Sequence, residues 1–198
     1  RCCEPGPVKI STSTDDIFID MNVYEHPFEQ IVFPDDRERF IHVPTSLEKN
    51  PLDRCPEICY SLKDLGLMVS TGPVIDFRVK QHLRQMPETG TAPLLYPGHF
   101  SSSGAQWPKA GKKPNAILRH PETEKWLYPN GFYCIVRRFS AKEEKRRVVA
   151  NVVDPVMFGN TSMIGFENHL NLFHENKHGL SESLARGLTV FLNTTVVD

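Results

Sequence analysis

The sequence predicts an α+β fold in a single domain, with a mixed, largely antiparallel sheet and a few helices. Three observations lead to this prediction. The chain has 198 residues, of which 39% are hydrophobic and 24% charged, as is typical of one globular domain. Short apolar segments of strand-like composition follow one another between turn residues. One clear amphipathic helix stands near the C-terminal end, and no internal repeat is visible.

Residues 1–59 are expected to form a strand-rich part of that domain. They hold several short apolar segments, and Asp15 and Asp16 suit a hairpin turn between the first two. A polar connector then leads into a short helix, which Gly66 is expected to end in a left-handed conformation. The apolar segments are 8–13, 17–22, 28–33 and 39–43, and the helix spans 56–65.

The middle of the chain is predicted to alternate strands with basic segments. A strand at 67–69 runs into a Ser-Thr-Gly-Pro turn, and a basic helix follows over 74–86. A strand at 94–96 then leads into a loop over 97–114 that is rich in Gly, Ser, Lys and Pro. Long loops in compact domains are usually either functional or disordered. We therefore expect this loop to be a binding segment.

The last third of the chain is predicted to contain an antiparallel hairpin and the amphipathic helix. Its strands are expected at 115–118, 126–128, 133–139, 146–153 and 169–174. The third and fourth of these pair across a charged connector. The helix covers 180–192, and Ser181 or Ser183 stands near its start as a capping residue.

The net charge of −1 hides three blocks of different sign. Residues 1–76 carry 7 basic and 14 acidic side chains, residues 77–147 carry 14 and 5, and residues 148–198 carry 2 and 5. The middle block therefore has a net charge of +9 between blocks of −7 and −3. Clustered cations favour a polyanionic partner, because binding releases the counterions of its phosphates. A solvated face with compensating salt bridges is the alternative interpretation.

The basic block supplies candidate DNA-binding residues in three patches, on the predicted helix, the loop and the hairpin. Cations position phosphates, and short polar side chains reach base edges. A Ser-Thr-Gly turn before a helix also offers backbone N–H groups to an anion. The candidates are Ser70, Thr71, Arg78, Lys80, Arg84, His99, Ser102, Gln106, Lys109, Lys112, Lys113, Asn115, Arg137, Arg138, Lys142, Arg146 and Arg147.

Motifs of common enzymes are absent from the sequence. It has no Gly-x-Ser-x-Gly, no phosphate-binding glycine loop and no His-Glu-x-x-His. His169, His174 and His178 are interpreted as hydrogen-bonding residues rather than metal ligands. A Glu143-Glu144-Lys145 segment, with Asp76 or Asp154, fits a metal-dependent nuclease less well than a solvated turn. We expect neither a catalytic residue nor a metal site.

The five cysteines are odd in number and irregularly spaced, as in a protein of a reducing compartment. No apolar segment approaches the about 20 residues that a membrane-spanning helix needs. The sequence begins without Met and has no leader of basic then apolar residues. We expect a cytoplasmic protein that has no membrane partner and is an excised piece of a longer chain.

Five stretches carry more distinctive motifs. They are VSTGPVIDFR (69–78), PLLYPGHF (93–100), KKPNAI (112–117), NGFYCIVRRFSAKEEKRRVVA (130–150) and GFENHLNLFH (165–174). With the closing GLTVFLNTTVVD (187–198), they resemble the C-terminal target recognition domain of adenine-specific DNA methyltransferases from bacterial restriction-modification systems. Thr194 and Thr195 stand where that family often has Ser. The resemblance covers residues 60–198, and residues 1–59 match less distinctly.

The resemblance implies that residues 60–198 are a DNA target recognition region that follows a catalytic domain using S-adenosylmethionine. Its partners would be double-stranded DNA and the methyltransferase catalytic domain of the same chain. An Asn-Pro-Pro-Tyr segment would grip the flipped adenine in that catalytic domain. Here Asn130 is followed by Gly-Phe-Tyr and Asn50 by Pro-Leu-Asp, and the glycine-containing cofactor loop of that domain is missing too. This sequence is therefore not expected to methylate DNA alone or to hold the cofactor. A metal-dependent endonuclease domain and a basic protein-interaction module remain the alternatives.

Overall fold

The chain divides into two compact units, residues 1–59 and residues 60–198. The computed structural model describes residues 5–34, 36–43, 60–101, 104–141, 143–195 and 197. The inclusion of residues 1–59 in the same domain as residues 60–198 stays a prediction. No helix in these described ranges is long and apolar enough to cross a membrane.

The first unit contains a hairpin and one helical turn. Strand β1 (Val8–Thr12) pairs antiparallel with β2 (Asn22–His26), and α1 (Phe28–Ile31) follows directly. The prediction of the second strand at 17–22 is wrong, because carboxylates fold that segment into a loop. Asp15 Oδ1 accepts hydrogen bonds from the Ile17 and Ile19 amides at 3.0 and 3.3 Å. Such side-chain acceptors compete with strand pairing.

Two further predictions in the first unit do not hold. Apolar segment 28–33 begins with α1 rather than a strand. Residues 39–43, expected to be a strand, are irregular, and the His42 amide donates to Ile31 O at 2.8 Å. In the second unit, residues 61–65 form turns that end at Gly66 with a φ of 69°, as its left-handed role requires. The rest of the helix expected over 56–65 lies mainly outside the described residues.

The described residues of the second unit form two larger sheets and two α-helices. Its strands and helices are β3 (Met68–Thr71), β4 (Leu83–Arg84), β5 (Thr91–Leu95), β6 (Phe100–Ser101), β7 (Gly104–Ala105), β8 (Ala116–Leu118), α2 (Pro121–Glu124), β9 (Leu127–Pro129), β10 (Tyr133–Arg137), β11 (Ala150–Val153), β12 (Met163–Phe166), β13 (Leu170–His174) and α3 (Glu182–Leu192). One sheet has the order β11-β10-β13-β3 and is antiparallel throughout. The other has the order β4-β8-β5-β12-β9, with β5 and β12 parallel, and β6 pairs with β7 alone. The α+β prediction with largely antiparallel pairing is confirmed.

The main core lies where the two larger sheets face each other. Successive side chains of a strand point to opposite faces, so neighbours in β5 enter different clusters. Leu95 packs with the residues between the sheets, whereas Leu94 packs on the other face of the five-stranded sheet. The cluster between the sheets contains Leu95, Tyr128, Tyr133, Ile135, Val153, Phe158, Ile164, Phe166, Leu170 and Leu172.

Helix α3 covers the antiparallel sheet with one apolar face, as its sequence pattern predicts. Its N-cap is Ser181, whose hydroxyl accepts from the Leu184 amide at 3.3 Å. Leu184, Leu188 and Leu192 recur every four residues and pack against a buried cluster that includes Cys134. The predicted hairpin is also confirmed, since β10 and β11 pair antiparallel.

The basic helix expected over 74–86 is wrong. Val74 is held by strand β12 of the same chain, because its N–H donates to Phe166 O at 3.1 Å. Further along, Arg84 is drawn into the five-stranded sheet opposite Ala116. Tertiary pairing therefore overrides the local helical pattern. The segment instead forms two 3₁₀ turns, Asp76–Arg78 and Lys80–His82, followed by β4.

Candidate nucleic-acid interface

The loop over 97–114 is held in place by a buried polar pair, His99 and Asn115, which are 4% and 0% exposed. Asn115 Oδ1 accepts from the Lys109 amide at 2.7 Å and contacts His99 Nε2 at 3.0 Å. Asn115 Nδ2 donates to Gln85 O at 2.8 Å and to Lys109 O at 2.9 Å. One carboxamide therefore ties the far end of the loop to β4 and to the start of the loop.

His99 is held in its neutral form. Its Nδ1 accepts the Tyr96 N–H at 3.0 Å, so Nε2 carries the proton and donates to Asn115. Burial lowers the pKa of His99, since the charged form loses hydration. Both residues were expected to contact DNA, and that part of the prediction is corrected because their side chains lie below the surface.

The exposed face of the same loop presents its cations, as predicted. Lys109, Lys112 and Lys113 are all exposed, and so is Gln106. Lys109 Nζ donates to Gly98 O at 2.8 Å. Lys113 Nζ lies 2.8 Å from Asp76 Oδ2 and holds the pKa of that carboxyl below its usual value. We call Lys109, Lys112 and Lys113 the lysine loop.

Two adjoining clefts open beside the lysine loop. The larger has a volume of about 400 Å³ and the smaller about 210 Å³, and both are lined by Tyr96, Gly98 and Lys113. The smaller also takes in Lys109 and Lys112, whereas the larger reaches across to Arg137. The structure therefore brings two of the three predicted patches, the loop and the hairpin strand, to one surface.

The patch expected on a helix lies instead on the 3₁₀ turns, and its cations differ in role. Arg78 and Lys80 are exposed, and the Arg78 guanidinium lies 5.7 Å from the centre of the Phe77 ring. The Arg84 guanidinium is bonded to nearby groups of the same chain. Its Nε lies 2.7 Å from Glu88 Oε1, and its Nη1 donates to Gln81 O and Leu83 O. Arg84 therefore supports the fold locally.

The cations of the hairpin patch also differ in role. Arg137 pairs with Glu144 at 2.6 Å, and the exposed Arg138 guanidinium lies 5.0 Å from the centre of the Phe139 ring. Arg146 instead donates to Thr194 O beyond the end of α3, and Arg147 Nε donates to Ser140 Oγ at 2.7 Å. The remaining two candidates, Ser102 and Lys142, lie outside the described residues.

Ser70 and Thr71 belong to β3 and are engaged within its sheet. Ser70 Oγ lies 2.8 Å from His174 Nε2, and Thr71 Oγ1 donates to Asn171 Oδ1 at 3.0 Å. The following Gly72 amide donates to Leu170 O at 2.8 Å. No helix begins at this turn, so the prediction that its backbone N–H groups bind an anion at a helix start is wrong.

Sequence reasoning missed two residues of the larger cleft, Phe139 and Glu167. Phe139 is 61% exposed and follows two arginines, a place where a large apolar side chain has no core to enter. Its place directly after two arginines was the signal available in the sequence. Glu167 is fully buried and contacts His169 Nδ1 at 2.6 Å, between β12 and β13. No local pattern marked Glu167.

Three acidic residues of the nuclease alternative each pair with a cation. Glu144 pairs with Arg137, Asp76 with Lys113, and Asp154 Oδ2 with Arg186 at 3.2 Å. Of the residues described, the group with metal-ligand spacing is His82, His120 and Glu122, which the nuclease alternative did not include. A hydrogen bond of 3.0 Å between His82 and Glu122 accounts for their proximity, and it lowers the pKa of Glu122.

The three histidines considered as ligands have separate roles. His169 contacts Glu167, and His174 contacts Ser70 from a buried position. His178 Nδ1 lies 3.0 Å from Asn176 O in an exposed turn. Each ring therefore has its own partner, as the hydrogen-bonding interpretation requires.

Comparison with known proteins gives two curated relatives. The Type II methyltransferase M.BsuBI of Bacillus subtilis is 54% identical over 191 residues, and M.PstI of Providencia stuartii is 39% identical over 193 residues. The chain is homologous to part of these Type II methyltransferases. Each alignment covers 96% of the chain, which spans only 38% of the length of each relative. The resemblance to methyltransferases is thereby confirmed. No protein-family profile and no solved structure gives a match.

Proposed function

We propose that this chain is the target recognition domain of an adenine-specific DNA methyltransferase of a restriction-modification system. It binds double-stranded DNA, and the catalytic domain belongs to the same parent chain. The observation that carries the proposal is the clustering of the lysine loop and Arg137 around two adjoining clefts, with Arg138 against the Phe139 ring that lines the larger one. The homology to Type II methyltransferases supports DNA as the polyanion that these cations meet.

The cations beside the clefts suit phosphate contacts because their present partners are easily exchanged. Lys113 is 59% exposed and its ion pair with Asp76 lies at the surface. Surface ion pairs contribute about 0–1 kcal/mol, so a phosphate can replace the carboxylate at small cost. Lys112 and Arg138 are exposed as well. Phosphate contacts of this kind fix the position of a duplex without reading its sequence.

We assign recognition of the DNA base sequence to the exposed side of the loop over 97–114. Gln106 projects from this loop, and its backbone N–H is held by His99 O at 2.8 Å. A side-chain amide has a donor and an acceptor and can bind adenine in the major groove through both. The buried pair His99 and Asn115 anchors the described part of the loop, which carries both Gln106 and the lysines.

S-adenosylmethionine is proposed to bind in the catalytic domain of the parent chain. The described residues do not fit this cofactor. Its sulfonium group is positively charged, whereas the clefts of this chain are flanked by Lys109, Lys112, Lys113 and Arg137. The turn after β3 has its Gly72 amide engaged. We accordingly assign no catalytic residue here, and we propose the cytoplasm as the location.

The test is binding of a random-sequence duplex by fluorescence anisotropy at several salt concentrations. Reversing Lys112 and Lys113 to Glu should weaken binding to every sequence and reduce the slope of log K against log salt by about 2. A matched control reverses Lys125 and Lys177, which are exposed cations outside the three patches. It changes the net charge equally and should leave the slope near that of the wild type. Equal effects of the two double variants would contradict the proposed surface.

Base reading is tested with Gln106→Ala. Duplexes selected from a randomised pool by the wild type and by the variant should differ at one or two positions. Affinity for non-selected DNA should stay within about twofold, since no phosphate contact is removed. Identical selected sequences would remove Gln106 from the reading surface.

A further inference from the structure

The larger cleft combines aromatic and charged side chains in a way that a phosphate contact does not explain. Its volume of about 400 Å³ is at the small end of the range for small-molecule sites. The side chains that matter are those of Tyr96, Lys113, Arg137, Phe139, Glu167 and His169.

Each charged side chain that lines the cleft already has a partner. Lys113 pairs with Asp76, Arg137 with Glu144, and the buried Glu167 with His169. A buried carboxylate beside the cleft disfavours an anion there. The occupant that fits is therefore flat, largely uncharged and polar at its edge.

Two aromatic rings line the cleft, of which Phe139 is exposed and Tyr96 is buried beneath Lys113. Phe139 is 61% exposed, with Arg138 on its ring at 5.0 Å and the His169 ring centre 5.7 Å away. The Tyr96 ring is 2% exposed and has Lys113 Nζ 5.0 Å from its centre. An exposed aromatic ring such as that of Phe139 can stack with a nucleobase.

The Tyr96 hydroxyl is an unused hydrogen-bonding group beside this cleft. It is buried and has no hydrogen-bond partner among the residues that the structure describes. Burial raises the pKa of Tyr96, with a contribution from the charges of Asp76 and Glu167, so the group stays protonated. A buried hydroxyl without a partner is costly and is uncommon in folded proteins.

We propose that this cleft accepts one nucleobase rotated out of the bound duplex. This inference rests on the proposed function. When DNA binds, Lys113 exchanges Asp76 for a phosphate and uncovers the Tyr96 ring. The base then stacks beside Phe139, and its polar edge reaches the Tyr96 hydroxyl. The chain thus adds a specificity contact at one position of its DNA site.

The test combines base removal with removal of one ring. The full chain first selects duplexes from a randomised pool, and each nucleotide of a selected duplex is then replaced in turn by an abasic analogue. We expect one position at which base removal weakens wild-type binding about 10-fold but leaves binding by Phe139→Ala unchanged. The matched control is Phe77→Ala, because Phe77 is 63% exposed with Arg78 over its ring. This control should behave as the wild type at that position.

A second measurement shows whether the base leaves the stack. 2-Aminopurine is placed at the position where base removal weakens wild-type binding. Its fluorescence should increase on binding by the wild type and increase less on binding by Phe139→Ala. Tyr96→Phe should alter base preference at that same position. Equal penalties for base removal in the wild type and Phe139→Ala at every position would overturn the inference while leaving DNA binding intact. Absence of DNA binding by the wild type would overturn the proposed function, and this inference with it.

Discussion

His99 Nε2 donates a hydrogen bond to Asn115 Oδ1 at 3.0 Å beneath the exposed lysine loop. The same oxygen accepts from the Lys109 amide, so one buried carboxamide joins both ends of the loop. The indole of Trp107 adds a third tie, since its N–H donates to Asn115 O at 2.8 Å. The described part of the loop that carries the cations is therefore anchored to the fold in spite of its Gly and Ser content.

Asn115→Ala should destabilise the chain by about 2–3 kcal/mol. The substitution removes four hydrogen bonds and leaves His99 and backbone groups of Lys109 and Gln85 without their partner. Urea unfolding followed by circular dichroism measures the loss. Lys112→Ala is the control on the same loop and should change stability by less than about 0.5 kcal/mol. A loss as small for Asn115→Ala would contradict the role given to this side chain.

Stability should fall as the pH drops below about 6.5, the ordinary pKa of histidine. Burial lowers the pKa of His99 and His174 in the folded chain, and each Nδ1 accepts a backbone N–H. The unfolded chain therefore binds protons first. The contribution of these rings is complete above pH 6.5 and declines until the lowered folded pKa is reached. Urea unfolding at pH 7.5, 6.5 and 5.5 measures this decline.

The variant His99→Asn isolates one of these rings. Its carboxamide oxygen can still accept the Tyr96 amide but does not titrate. The decline of unfolding free energy between pH 7.5 and 5.5 should be smaller in this variant than in the wild type. An unchanged pH dependence would show that His99 is not a source of it.

The sequence predicted elements well where local pattern and tertiary contact agree. Helix α3 has both a capping residue, Ser181, and apolar residues at helical spacing, and it forms as predicted. The segment over 74–86 has a helical pattern too, but Arg84 pairs with Ala116 more than thirty residues away along the chain. Pairing partners at that separation leave no trace in a local window.

The candidate site was predicted in the same uneven way. Charge alone located Lys112 and Lys113, because exposed cations of one sign cluster in the sequence. Charge did not distinguish Arg84, whose partners are its own carbonyls, from the exposed Arg78. Asn115 and His99 were selected for their polarity, but burial makes them supports of the loop. Burial is a property of the assembled sheets.

Arg78→Ala and Arg84→Ala should therefore affect different properties, DNA binding and stability respectively. Arg78→Ala should weaken DNA binding and reduce the salt slope by about 1, with stability nearly unchanged. Arg84→Ala should lower the free energy of unfolding by about 1 kcal/mol, because it removes the contacts to Glu88 and two carbonyls. Anisotropy titrations and urea unfolding of both variants provide the comparison. The reverse pattern would contradict the division of this patch.

Cys134 should be unreactive in the native chain. Its thiol is buried in β10 beneath α3, and burial raises its pKa to about 11. At pH 8 only about one thiol in a thousand is then a thiolate, the reactive form. Iodoacetamide labelling read by mass spectrometry of the Cys134 peptide should be slow in buffer and fast in guanidinium, where the thiol is exposed. Rapid native labelling would show that α3 detaches from the sheet, because the Thr189 hydroxyl on α3 lies 3.2 Å from the Cys134 sulfur and covers it.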